Sequence, residues 1–290
     1  MTIATDNVRA LQQQIKDELN LETLRISSAE ALEQQLGRGL AALYKDVFAG
    51  PPYNEKFEID EVKNIFHDFL DKKGIIFVAL NPENKQPIAF VVSLPLRAEF
   101  ELAKIAKDYI SDVEAAGYFA EDGVAAEYRR RGLSTRMKKL LIQANSVEGV
   151  KEMLLRTSTK NYRQISSVNK AGGKVLKGQF QKIIRNEVDG GKAVDNNLFY
   201  SFETADTTPP QILDRVMVVR TNMGDKAFVF NKKASRVLTG KIKAAYPDVA
   251  AVAYVGNDNS LQKLEAGQIV FDGKMYLRSQ KRRVGLPSPR

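Results

Sequence analysis

Three consecutive arginines, Arg129, Arg130 and Arg131, run into Gly132 in the stretch VAAEYRRRGLS (124–134). They follow a short apolar stretch and precede a segment of helical periodicity. Like charges repel, so such a cluster stands either in free solvent or against something anionic. A helix start presents unpaired N–H groups and a partial positive charge. Glycine lets a ligand approach the backbone closely, and arginine forks match phosphate oxygens. Together they make an anion site, most naturally for a pyrophosphate. A solvated basic turn is the alternative that this stretch, read by itself, leaves open.

Other chemistries are narrowed by what the chain lacks. It has no cysteine, which removes disulfides, thiolate zinc sites and a cysteine nucleophile. The single histidine, His67, lies between apolar helix positions in KNIFHDFL and reads as a structural or surface group. No histidine-based metal site can be assembled from it, and no metal is expected. The 290 residues are 43% apolar and 27% charged, as in soluble globular proteins, with room for two domains. No apolar run is long enough to span a membrane. The N-terminus, MTIATDNVRALQQQIKDELN, reads as a polar amphipathic helix, not as a secretory signal, so a cytoplasmic location is expected.

The elements that must position the arginines follow from periodicity. After the N-terminal helix (1–22) come a strand at 24–26, a helix over 28–48, a Gly-Pro-Pro break at 50–52 and a helix over 59–72. GIIFVAL (74–80) and PIAFVVSLPL (87–96) read as an antiparallel hairpin, apolar on both faces and central in a covered sheet. A helix is expected at 97–116, its stripe of Leu102, Ile105, Tyr109, Ile110 and Val113 packing down, and a strand at 118–126. The helix at 132–145 has a core stripe of Leu133, Met137, Leu140, Leu141 and Ala144, leaving Arg136, Lys138 and Lys139 outward or at its edges. A strand (153–159), a helix (161–173) and strands at 175–184 and 198–203 complete a mixed α/β sheet. TADTTPPQ (204–211) reads as a linker, and 212–290 as a small α/β unit with a helix near 232–244 and a mobile tail, RSQKRRVGLPSPR. Residues 204–290 hold 15 Lys and Arg against 7 Asp and Glu, whereas 1–203 hold 29 against 28. The basic excess therefore belongs to the last third.

Two spaced motifs resemble the GNAT superfamily of acyl-CoA-dependent N-acyltransferases. Val124-Ala-Ala-Glu-Tyr-Arg129 resembles that family's V-x-P-E-Y-R strand end. Arg129-Arg-Arg-Gly-Leu-Ser134 resembles its Arg/Gln-x-x-Gly-x-Gly/Ala turn, with serine in the last small position. Asn161 followed by SSVNKAGGK resembles the second motif, with Gly172 and Gly173 in place. The order of elements from Leu24 to Glu203 is similar as well. The resemblance implies a GNAT-like, mostly antiparallel mixed sheet over 23–203 and a bound acetyl-CoA or other acyl-CoA. The pyrophosphate would lie on the N–H groups from Arg130 through Gly132 and Leu133 to Ser134, with Arg129 and Arg131 supplying charge. The backbone of Val124 and Ala126 would pair with the pantetheine arm, and Asn161 would contact that arm.

Acyl transfer to an amine further needs a general base and a group that protonates the departing thiolate. A backbone N–H near Val124 would stabilise the oxyanion. Glu121 and Asp122 are the carboxylates on the preceding strand, and alternation puts them on opposite faces. Glu121 is the favoured base. The family's tyrosine acid falls on Val168, so Tyr162 or another group must substitute, unless the thiolate leaves unaided or the domain binds CoA without turnover. Tyr53 and Glu55, in the loop after Pro52, are candidate contacts for the amine acceptor, itself a small molecule or a protein. A second reading makes the basic unit, 212–290, a binder of nucleic acid or an acidic partner, or a homodimer contact, beside a non-catalytic CoA-binding module.

Overall fold

A computed structural model describes residues 3–50, 53–158, 161–186, 192–205, 215–221, 224–230, 251–254, 268–271 and 274–277. Strands β1 (Glu22–Ile26), β2 (Ile75–Leu80), β3 (Pro87–Pro95) and β4 (Gly117–Val124) pair successively antiparallel. β5 (Glu152–Ser158) lies parallel to β4, because helix α6 (Leu133–Val147) crosses over between them. β6 (Lys174–Asn186) and β7 (Lys192–Glu203) close the sheet antiparallel, giving the order β1-β2-β3-β4-β5-β7-β6. β2 is buried throughout and β3 at all but its last residue, as apolar runs covered on both faces require.

One face carries α1 (Ile3–Leu19), α6 and α7 (Tyr162–Lys170), which bury Phe77, Val91, Phe119, Leu155, Tyr200 and Phe202 of the sheet. The other carries α2 (Ala29–Gly37), α3 (Leu40–Ala49) and α4 (Ile59–Asp71) over Ile76, Val78, Phe90 and Val92. The helix expected over 28–48 is thus two helices. Gly39, at φ 105°, takes the left-handed conformation that ends one and starts the next. The element expected at 97–116 is shorter than its apolar stripe implies. α5 spans only Phe100–Ala106, and the chain then turns, with the Asp112 carboxylate accepting from the N–H groups of Glu114 and Ala115. The stripe still packs: Leu102 and Ile110 cover Tyr118, Leu154 and Phe199.

Beyond Thr204, whose hydroxyl donates to the Val150 carbonyl at 2.5 Å, a second sheet forms. β8 (Arg215–Thr221), β9 (Gly224–Phe230) and β10 (Ala251–Tyr254) run in the order β10-β8-β9, and β11 (Gln268–Phe271) pairs with β12 (Lys274–Leu277). The expected helix at 232–244, the linker residues from 206 on and the tail from 278 lie outside the described residues. Among the described residues, no helix is long and apolar enough to cross a membrane.

Candidate functional site

β4 pairs with β3 along its length but with β5 only at Gly117–Phe119, against Met153–Leu155. Beyond Phe119 the strands part: β4 follows β3 to Val124, and β5 follows β7 to Ser158. The Ala125 N–H donates to the Ile88 carbonyl at 2.8 Å. By alternation, the backbone groups of Val124 and Asp122 point away from β3, into the gap. Where the strands part, the register slips: Val92 pairs with Glu121 and Ser93 with Phe119, leaving Ala120 as an extra residue. Such a bulge reverses the faces of the side chains that follow it. Phe119 packs on α6, and three residues later Asp122 also faces α6, while Glu121 falls on the face of Tyr118.

The arginine turn closes the open end of β4. Ala126–Tyr128 form a 3-10 turn, so Ala126 lies past the strand, and its carbonyl accepts from the Arg129 N–H at 3.3 Å. Ala126, expected with Val124 to pair with the pantetheine arm, thus stands in the turn, whereas the backbones of Val124 and Asp122 face the gap. Arg129 folds back and donates its Nε to the Val124 carbonyl at 2.9 Å. Arg131 lies 5.2 Å over the Tyr128 ring, and Arg130, at φ 65°, is exposed. Gly132 caps α6 at φ 78°, with no side-chain hydrogen bond to the first turn and no acidic residue in it. A Cβ there would stand 2.4 Å from Arg136 Nη1. Leu133 anchors that turn in the core, at 2% exposure.

Beneath the turn lies a polar network that the sequence reading missed. Lys138, expected outward or at an edge, is fully buried; its Nζ donates to Asp122 Oδ2 at 2.6 Å, Ser134 Oγ at 2.8 Å and Gln164 Oε1 at 3.1 Å. Asp122 Oδ1 accepts from Gln164 Nε2. Ser134 also bonds the Ser167 hydroxyl at 2.9 Å. The spacing held a signal: Lys138 stands four residues after Ser134 and three before Leu141, within the ridge that meets the sheet. The physical reason for the correction is that Asp122, turned inward by the bulge, gives the ammonium an ionic partner where solvent would otherwise be needed.

Asn161 joins this assembly from the start of α7. Its Oδ1 accepts from the Gln164 N–H at 3.1 Å and its Nδ2 donates to the Tyr53 hydroxyl at 2.8 Å. Tyr53 rests on Phe48, ring centroids 5.1 Å apart, and the Glu55 N–H donates to the Phe48 carbonyl at 2.9 Å. The candidate acceptor loop, which lies between α3 and α4, is therefore held against the candidate cofactor asparagine. Tyr162 opens α7, and its side chain lies outside the described residues. On the other face, burial first, and Glu121 and Glu99 with it, push the Tyr118 phenol up to about 12, against the lowering effect of the Arg156 charge and hydrogen bond. His67 meets Glu33 at 2.7 Å, a surface pair away from the gap. Among the described residues, no three His, Cys, Asp or Glu side chains gather as a metal site.

The donor set fits an acyl-CoA. Helix N–H groups free of a side-chain cap and exposed arginines suit its phosphates, and an unpaired strand edge suits its amide-bearing arm. No protein-family model and no curated protein matches the chain. Among solved structures it is similar to an N-acetyltransferase from Staphylococcus aureus Mu50, at 16% identity and TM-score 0.46 over 63% of this chain and 99% of that one. It is also similar to a ribosomal-protein-alanine N-acetyltransferase from Brucella melitensis, at 15% identity and TM-score 0.47 over 62% of this chain and 99% of that one. A third is the NatC complex bound to Gag peptide and CoA, at 14% identity and TM-score 0.42 over 63% of this chain and 98% of that one. In its own element order and mixed, mostly antiparallel sheet, the chain from β1 to β7 has the GNAT-like fold that its two motifs implied.

Proposed function

We propose that the chain is an acyl-CoA-dependent N-acyltransferase that moves an acyl group, acetyl in the simplest case, from the CoA thioester to an amine. The observation that carries this reading is the meeting of two features: the parted strands β4 and β5, and the uncapped start of α6 with its arginines. The thioester supplies an activated acyl carbonyl. The N–H groups at the start of α6, with Arg130 and Arg131, hold the phosphates. The backbone N–H groups of Asp122 and Val124 orient the arm and oppose negative charge developing on the carbonyl oxygen. Glu121, on the face opposite α6, takes the amine proton, directly or through water, as the C–N bond forms. The C–S bond breaks to release CoA as a thiolate that is protonated from solvent. Tyr53 and Glu55 border the acceptor.

Calorimetric titration of acetyl-CoA into the full chain tests the reading. Micromolar binding is expected, weakened at least about tenfold in Arg130→Ala/Arg131→Ala through lost phosphate contacts. These two are chosen because Arg129 also supports Val124 within the fold. An amine screen with Glu121→Gln then assigns the base, whose loss lowers turnover roughly a hundredfold or more. Absence of acetyl-CoA binding by the intact chain would sink the proposal.

A further inference from the structure

Lys138 is the one charged residue among the buried positions of α6. It is fully buried on the sheet-facing ridge, yet it carries a charge, and Asp122 faces it at 2.6 Å. All three of its N–H donors are engaged, by Asp122, Ser134 and Gln164. Removing two charges from water costs stability that their attraction only about repays, so an apolar pair of similar volume would hold the core equally well. What the pair adds is geometry. Asp122 supplies the backbone that faces the gap, Ser134 lies in the first turn of α6, and Gln164 lies in the first turn of α7. One ammonium therefore grips the strand edge and both helix starts that border the opening.

We propose that Lys138 is the positioning residue of the acyl-CoA cleft. It fixes the distance from the β4 edge to the two helix starts, so that the phosphate turn and the arm-binding edge are spaced for one ligand before it arrives. This rests on the acyltransferase reading and deepens it. Through Gln164 and Asn161 the same grip extends to Tyr53, so the acceptor loop is set by it too. Lys138 does not touch the reacting atoms. Its loss changes how well the cleft is formed, which appears in ligand affinity and KM more than in kcat.

The decisive comparison is Lys138→Met against Asp122→Leu/Lys138→Met, each followed by thermal melting and acetyl-CoA calorimetry on the full chain. The single variant strands a buried carboxylate and loses both stability and affinity. The double variant removes both charges, so its melting temperature returns close to wild type. Its acetyl-CoA affinity is expected to stay about tenfold weaker or more, because the cleft is no longer held in register. A double variant that recovers affinity together with stability overturns the proposal, since Lys138 then only packs. Should both variants fail to fold, Gln164→Leu keeps the ion pair and cuts its tie to α7. KM for acetyl-CoA then rises roughly threefold with kcat unchanged, and an unchanged KM also overturns the proposal. Wild-type protein that binds no acetyl-CoA removes the acyltransferase reading itself, and the role of Lys138 with it. Tight binding by wild type and double variant alike removes the role of Lys138 alone.

Discussion

β4 is two strands in one. From Gly117 to Phe119 it is bonded on both sides, and its Tyr118 and Phe119 sit in the cores of opposite faces. From Glu121 to Val124 its paired strand is β3 alone, and polar groups gather around it: Glu121 on one face and the Asp122–Lys138 pair on the other. The bulge at Ala120 divides them. The closed half spends its backbone on the sheet and its side chains on packing. The open half turns the backbone N–H groups of Asp122 and Val124 toward the gap and uses buried polar bonds to hold its shape. Under the proposed acyl-CoA reading, that division separates stability from binding along a single element, and it can be tested by substitution in each half.

The largest effect on stability is expected in the closed half. Phe119 is 4% exposed and lies 5.0 Å from the Phe202 ring, with α6 over it. Phe119→Ala should cost about 3–5 kcal/mol, the transfer of a large side chain plus the cavity it leaves. Urea denaturation measures the loss. Acetyl-CoA affinity of the folded fraction should change less than threefold, because nothing at Phe119 faces the gap. A large loss of affinity in protein that is still folded would break the division proposed for the two halves.

Tyr118 sharpens the boundary, because it packs in the closed half and faces the charges of the open one. Burial, with Glu121 and Glu99, raises its phenol to about 12 despite Arg156. A proton held more tightly in the folded state than in the unfolded one stabilises the fold at pH values below the unfolded pKa, near 10. That stabilisation is lost as pH rises from about 10 to about 12, roughly 2–3 kcal/mol in all. Denaturation midpoints between pH 9 and 11 should therefore fall more steeply in wild type than in Tyr118→Phe. Equal slopes would place Tyr118 in water-like surroundings and contradict the burial on which the closed half depends.

How much of this was legible in the sequence follows the same line. The β2–β3 hairpin, the stripe of α6 and the arginine turn were readable, because apolar periodicity and residue type are local properties. The bulge at Ala120 was not. A single extra residue carries no compositional mark, yet it decides that Asp122 shares a face with Phe119 and that Glu121 does not. The apolar stripe of α6 puts Lys138 outward or at an edge; its burial depends on a carboxylate 16 residues away turning inward. The Asn161–Tyr53 bond spans 108 residues, and no local pattern announces it. The split at Gly39 could have been weighed, since a glycine inside a helical pattern weakens it. What sequence conceals here is the contact made by tertiary pairing, and the open half of β4 is built from such contacts.

The smallest expected change in stability lies at the mouth of the open half. Gly132 holds φ 78°, where an L side chain costs about 1–2 kcal/mol. An added Cβ would meet Arg136 Nη1 at 2.4 Å, the far end of a flexible side chain that can swing away from its partner Glu18. Gly132→Ala should therefore melt only a few degrees lower and keep its fold. The same methyl group stands beside the uncapped N–H groups of α6, where the proposed reading brings a phosphate within hydrogen-bond range. Acetyl-CoA affinity should fall roughly tenfold or more, since one displaced oxygen loses a charge-assisted contact. The contrast with Phe119→Ala is the point of the experiment. A large loss of stability with binding retained in one half, and a small loss with binding weakened about tenfold or more in the other, would be the signature of a strand whose closed part builds the fold and whose open part receives the ligand. If Gly132→Ala binds acetyl-CoA as wild type does, the ligand does not approach the start of α6, and the open edge of β4 serves another molecule.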